Sequence, residues 1–115
     1  MSHKLVVAVR GDLRMTPGKT AAQVAHAAVT ATLAAAGSPR LRAWPADGQP
    51  KVVVRVASLE ALEGLLVRAE AAGVAATVIA DAGRTELEAG TRTCGAFGPD
   101  ADDAVDAVTG ELQLL

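Results

Sequence analysis

The chain opens on an almost unbroken apolar run. KLVVAVR, residues 4–10, is rich in valine and is polar only at its ends. Such a run predicts a strand buried on both faces. GDLRMTPG follows as a loop. Thr16 suits a helix cap, and Pro17 suits the first helical position, where a fixed φ fits and a missing amide costs nothing. The helix should run to about Ala36 and stop at Gly37-Ser38-Pro39. Residues 37–50, with Trp44 among them, read as a turn-rich connection, and KVVVRVA, 51–57, as a second strand. Ser58 then caps a helix that carries Leu59, Leu62, Leu65, Leu66 and Ala69 on one face and ends at Gly73. VAATVIA, 74–80, predicts a third strand and TCGAFG, 93–98, a weaker fourth. Pro99 and Asp100 should open a short last helix, with Asp102 and Asp103 in its first turn and Gly110 at its close. ELQLL adds a final extended piece.

Strand, helix, strand, helix, strand implies an α/β fold with parallel pairing and helical crossovers over the sheet. Sites in such sheets form beyond the carboxyl ends of the strands. Two loops with dense polar sequence leave those ends, 11–18 and 81–92. They are the places to look for chemistry.

The chain has 115 residues, half of them apolar, which fits one domain with a real core. A single cysteine, Cys94, forms no internal disulfide and suits a reducing compartment. The first apolar run is far too short to span a membrane, and no leader pattern follows it, so a cytoplasmic protein is expected. The net charge of −2 conceals an asymmetry: residues 1–57 sum to +6 and residues 58–115 to −8. A basic half can face an anionic partner, although scattered solvated charge gives the same count.

Gly18-Lys19-Thr20 has the ending of a phosphate-binding P-loop. The spacing rules that loop out, because the required earlier glycine would fall on Leu13. Lys19 still needs an explanation, since the first turn of a helix is already positive. An anion nearby would satisfy both the lysine and the exposed amides. Lys19, Gln23, His26 and Thr30 are spaced to share one helical face. The plain alternative is that this stripe is only the solvent face. Asp81 directly follows the third strand, with Arg84 and Thr85 at turn distance and Thr93 at the loop's return. The plain alternative there is an aspartate that accepts amides in an Ala-Gly turn. A carboxylate, a lysine and threonine hydroxyls can instead position water and stabilise an oxyanion. His26 suits a positioning role better than that of a base. Cys94 reads as a buried hydrophobe rather than a nucleophile. Two histidines and one cysteine lack metal-ligand spacing. Trp44 and Phe97 are too few for a base-stacking platform.

Read together, VAVRGDLRMTPGKTAAQVAHAA, GQPKVVVRV, DAGRTELEAGTRT, FGP and VTGELQLL resemble the second-class, archaeal and eukaryotic-type peptidyl-tRNA hydrolases. The similarity runs in order from about residue 4 to 115. One departure is Met-Thr-Pro-Gly-Lys where members often carry Gly-Lys-Gly-Lys, which leaves one basic residue fewer beside Lys19.

The resemblance implies a three-layer α/β/α fold whose four-stranded mixed sheet, given the alternation above, should be mostly parallel. It implies one domain over residues 1–115, usually a homodimer. It implies cleavage of the ester between a peptide and the terminal ribose of tRNA, which recycles tRNA, without metal or organic cofactor and without a membrane. By motif position Lys19, Asp81 and Thr85 match the family's catalytic residues. Gln23, His26, Arg84 and Thr93 supply the surrounding substrate-binding polar groups. Two other readings stay open: a relative that binds without catalysis, and a hydrolase of another small acylated anionic substrate.

Overall fold

The computed structural model describes residues 2–84 and 86–115. Thr85, expected among the catalytic groups, lies outside the described residues. Within them the chain forms β1 (His3–Arg10), α1 (Pro17–Ala34), α2 (Pro39–Ala46), β2 (Lys51–Val56), α3 (Leu59–Ala72), β3 (Ala76–Ala80), β4 (Arg92–Ala101) and α4 (Asp102–Thr109).

The helix starts follow their local chemistry. Thr16 caps α1 by accepting the Lys19 amide, and Ser58 caps α3 by accepting the Ala61 amide. Gly73 ends α3 with φ near 71°, a left-handed conformation that glycine adopts without strain. The helix α2 was not expected. Ser38 and Pro39 by themselves signal a stop for α1, but Ser38 accepts the Leu41 amide and Pro39 occupies the first turn of a new helix. Serine followed by proline marks a helix start as well as a helix end. Trp44 makes this short helix worth forming: it is buried in the core and donates its indole N–H to the Pro50 carbonyl at 2.9 Å.

The four strands form one mixed sheet in the order β2-β1-β4-β3. The expected parallel majority is corrected. Only β1 and β2 pair in parallel; β4 runs antiparallel to both β1 and β3. Strands β1, β2 and β3 do share one direction, as strand–helix alternation requires. The opposed β4 enters between β1 and β3 and converts both of its contacts to antiparallel pairing. Strand β4 is also longer than expected. Pro99 and Asp100 belong to it rather than to a helix, because Lys4 pairs with Asp100 and His3 with Ala101. The last residues extend as expected: Leu114 bridges Val54 in antiparallel register along β2.

Strand β1 feeds two cores, as a doubly buried strand must. Val6 and Ala8 point to one face and pack with Leu62, Leu65, Phe97 and Val105 beneath α3 and α4. Leu5, Val7 and Val9 point to the other and pack with Ala27, Ala31, Trp44 and Ile79 beneath α1 and α2. Each fully buried valine or leucine contributes roughly 1.5–3 kcal/mol by leaving water. The result is the expected three-layer α/β/α arrangement. Among the described residues, no helix is long and apolar enough to cross a membrane.

Candidate active site

The site forms where α1 begins beside the carboxyl end of β3. The core face of α1 carries Gln23, Ala27 and Ala31 and lies on β3 and β4. Lys19, one turn before Gln23, therefore reaches over the end of the sheet. Asp81 is the first residue after β3. The Lys19 ammonium donates to Asp81 Oδ1, and the Gly83 amide donates to Oδ2 at 2.7 Å. Both side chains are largely withdrawn from water, at 12% and 2% exposed.

Backbone bonds fix the carboxylate. The Asp81 amide donates to the Thr91 carbonyl, and the Gly90 amide donates to the Asp81 carbonyl, each at 2.7 Å. Gly83 has φ near 78°, and a β-carbon there would lie 2.6 Å from the Ala89 nitrogen. Only glycine suits this turn. The Lys19 hydrogen bond, with the Gly83 amide second, holds the Asp81 carboxyl below the usual carboxylate range despite its burial. Asp81 is thus a fixed, ionised acceptor.

Gln23 and Thr93 form a second layer directly behind. The Thr93 hydroxyl donates to Gln23 Oε1 at 2.6 Å, and Thr93 is fully buried. With its oxygen engaged, Gln23 keeps the NH₂ end of its amide for other partners. The expected polar stripe of α1 is therefore split: Gln23 is buried, Thr30 half-buried and His26 exposed. Arg84 is also exposed, in the loop after Asp81. Cys94 is buried, and burial pushes its thiol up to about 11, which removes it from nucleophilic chemistry near neutral pH.

One group escaped the sequence reading. Glu86 accepts the Thr16 amide at 2.8 Å and the Thr16 hydroxyl at 2.7 Å. The Thr16 hydroxyl bond, then the Thr16 amide, holds its carboxyl below the usual range. No local pattern announces a contact between residues 70 positions apart. The only available hint was an acidic residue in a loop expected to face a helix start.

Basic residues from both chain halves meet at the site end of the sheet. Arg10, Arg55 and Arg92 cluster at the site end, because Arg10 closes β1, Arg55 pairs with Val9, and Arg92 pairs with Ala80. Arg10 is neutralised by a two-point contact with Asp12, and Arg92 approaches Glu63 at 3.7 Å. Arg14, Arg55 and Arg84 have no ion-pair partner among the described residues. The opposite end gathers Asp47, Asp100, Asp102 and Asp106. Along the other flank of α1 runs an open groove of about 1010 Å³, lined by Val24, Ala28 and Val29 against Val9, Val53 and Arg55. Among the described residues, no three His, Cys, Asp or Glu side chains converge as a metal-binding group.

Comparison with known proteins places the geometry in a lineage. The family described as Peptidyl-tRNA hydrolase PTH2 matches residues 3–115. A protein of Metallosphaera sedula named peptidyl-tRNA hydrolase is 50% identical over 116 residues, covering 97% of this chain and 99% of its own. Proteins of the same name from Saccharolobus solfataricus and Sulfurisphaera tokodaii are 44% and 45% identical. The first covers 97% of this chain and 98% of its own, the second 100% of both. A solved structure of a protein of unknown function from Agrobacterium tumefaciens strain C58 superposes with a TM-score of 0.64 at 16% identity. It covers 100% of this chain and 98% of its own, and it speaks for the fold alone. The resemblance carried by the motifs is borne out over nearly the full length, and this chain belongs to the peptidyl-tRNA hydrolase PTH2 family.

Proposed function

We propose that this protein hydrolyses the ester linking a peptide to the terminal ribose of tRNA, and that Lys19 and Asp81 stand at the reacting centre. The observation that carries the assignment is the ammonium–carboxylate pair, withdrawn from water at the sheet's edge. An ester to a ribose hydroxyl has a good leaving group, so water needs orientation and the tetrahedral oxyanion needs a positive partner. Asp81 is a poor proton acceptor at neutral pH, because Lys19 and Gly83 stabilise its ionised form. Its role is to orient the attacking water as a hydrogen-bond acceptor. Lys19 spends one of its three donors on Asp81 and has two for the developing oxyanion or a nearby phosphate.

Around this pair, Gln23 offers its amide N–H to the substrate, and Thr93 fixes the orientation of that amide from behind. His26 and Arg84 are exposed beside the site and meet the ribose or phosphates. Thr85, by its place in the motif, hydrogen-bonds the water or ribose. Arg14 and Arg55 extend the basic surface along which the tRNA backbone runs. The protein acts in the cytoplasm on this reading and works as a homodimer. The apolar groove supports the dimer: Val29 lines it at 58% exposed, and Leu33, one turn further along α1, is 71% exposed.

The test is release of the N-blocked amino acid from an N-acetylaminoacyl-tRNA, with Lys19→Ala and Asp81→Ala beside the wild type. Cleavage by the wild type, lost in both variants, is expected. Folded wild type that binds tRNA with a steep salt dependence but cleaves nothing would instead identify a binding protein.

A further inference from the structure

Glu86 sits in the loop between β3 and β4, exposed, yet both of its carboxylate oxygens are engaged by Thr16. Thr16 is the cap of α1, and its hydroxyl also accepts the Lys19 amide at 3.2 Å. That hydroxyl thus links Glu86 to the backbone of the residue that carries the site's ammonium. Five residues earlier in the same loop, Asp81 binds the side chain of Lys19. The loop is therefore attached to the start of α1 at two points, Asp81 on Lys19 and Glu86 on Thr16. The segment between them carries Gly83, whose amide holds Asp81 Oδ2, and Arg84.

A single attachment leaves a loop free to pivot about it. Two attachments five residues apart fix its orientation, and at the second of them both Glu86 oxygens are held by Thr16. We propose that Glu86 is a positioning residue: its two-point attachment to Thr16 orients the 81–92 loop against α1, so that Asp81 and Lys19 hold the arrangement required for turnover. This inference rests on the hydrolase reading above for its kinetic consequence. The competing account makes Glu86 a helix cap only, which adds stability and leaves the loop's geometry unchanged.

The variants are Glu86→Ala and Glu86→Gln. The glutamine carbonyl still accepts the Thr16 amide while the charge is removed. The assays are steady-state hydrolysis of N-acetylaminoacyl-tRNA and amide hydrogen exchange at Thr16 and Gly83. Glu86→Ala should lower kcat about tenfold, the worth of one well-formed hydrogen bond, with KM within about twofold. Exchange should quicken at Thr16 and also at Gly83, which Glu86 does not touch. Glu86→Gln should recover most of both. Unchanged Gly83 exchange in Glu86→Ala overturns the proposal and leaves a cap. Glutamine as slow as alanine with Thr16 still protected overturns it in favour of a charge effect. Should the wild type cleave nothing, the hydrolase reading falls, while exchange at Gly83 still decides whether Glu86 orients the loop.

Discussion

Lys19 and Asp81, 62 residues apart in the chain, meet as a hydrogen-bonded ion pair at the junction of α1 and β3, with the aspartate almost fully buried. Neither residue is unusual alone. Together they place an ionised acceptor and a cation side by side, both largely withdrawn from water. A low local dielectric strengthens both interactions.

Asp81 has a lower proton affinity folded than unfolded, because Lys19 and Gly83 favour its charged form. A group depressed in this way contributes stability that is present above the unfolded carboxylate value, about 4, and lost as pH falls through the folded value. The difference in Tm between the wild type and Asp81→Asn should be steady from about pH 6 upward and shrink toward zero in acid. Turnover by Asp81→Asn should fall by about 10² at neutral pH, the cost of a mispositioned attacking water. A stability difference that widens in acid would show that the pair does not favour the ionised carboxylate.

Thr93→Val keeps the shape of the side chain and deletes the donor to Gln23. A buried amide oxygen left without its partner costs roughly 1–3 kcal/mol, read as a lower denaturation midpoint. Turnover should fall as well, because Gln23 is then free to rotate. Thr93→Ser restores the hydroxyl and should recover turnover more fully than stability, since the lost methyl leaves a small void. Equal activity in the valine and serine variants would remove Thr93 from the positioning of Gln23.

Gly83→Ala combines a φ near 78° with a β-carbon that would lie 2.6–2.7 Å from Ala89. The turn must open, which withdraws the amide from Asp81. The strain of a non-glycine residue there is on the order of 1–3 kcal/mol. Because the loop is at the surface, the cost should appear mainly as lost activity, with Tm moving by only a few degrees. A fully active alanine variant would show that the Gly83 amide is dispensable to the carboxylate.

Leu33→Asp tests the proposed dimer. Leu33 is 71% exposed, so the change should leave the stability of the isolated fold within about 0.5 kcal/mol. Placed in an apolar interface, the unpaired charge should instead shift sedimentation from dimer to monomer at micromolar concentration. A variant that sediments with the wild type would put any dimer contact elsewhere.

Much of the secondary structure was legible because its signals act within a few residues. Thr16 and Ser58 each bond an amide three positions on, and Pro17 and Gly73 act through their own φ. Where the same local signal has two meanings it misleads. Ser38-Pro39 ended one helix in the reading and begins another in the structure, because the burial of Trp44 decides it and burial is not a local property. Pro99 locally signals a helix start but lies in β4, since pairing between Lys4 and Asp100 extends the strand through it.

Four features are written in the chain: the common direction of three strands, the doubly buried character of β1, the helix starts at Thr16 and Ser58, and the motifs that name the family. These follow from periodicity, capping and residue identity, which are written along the chain. Tertiary structure alone decided that β4 enters between β1 and β3. It decided that Arg10, Arg55 and Arg92 meet at one sheet end, that Thr93 is buried behind Gln23, and that Glu86 reaches Thr16. Each of these joins residues far apart in the chain. Such contacts are selected by the competition among all possible strand pairings and burials, which no short stretch of sequence encodes.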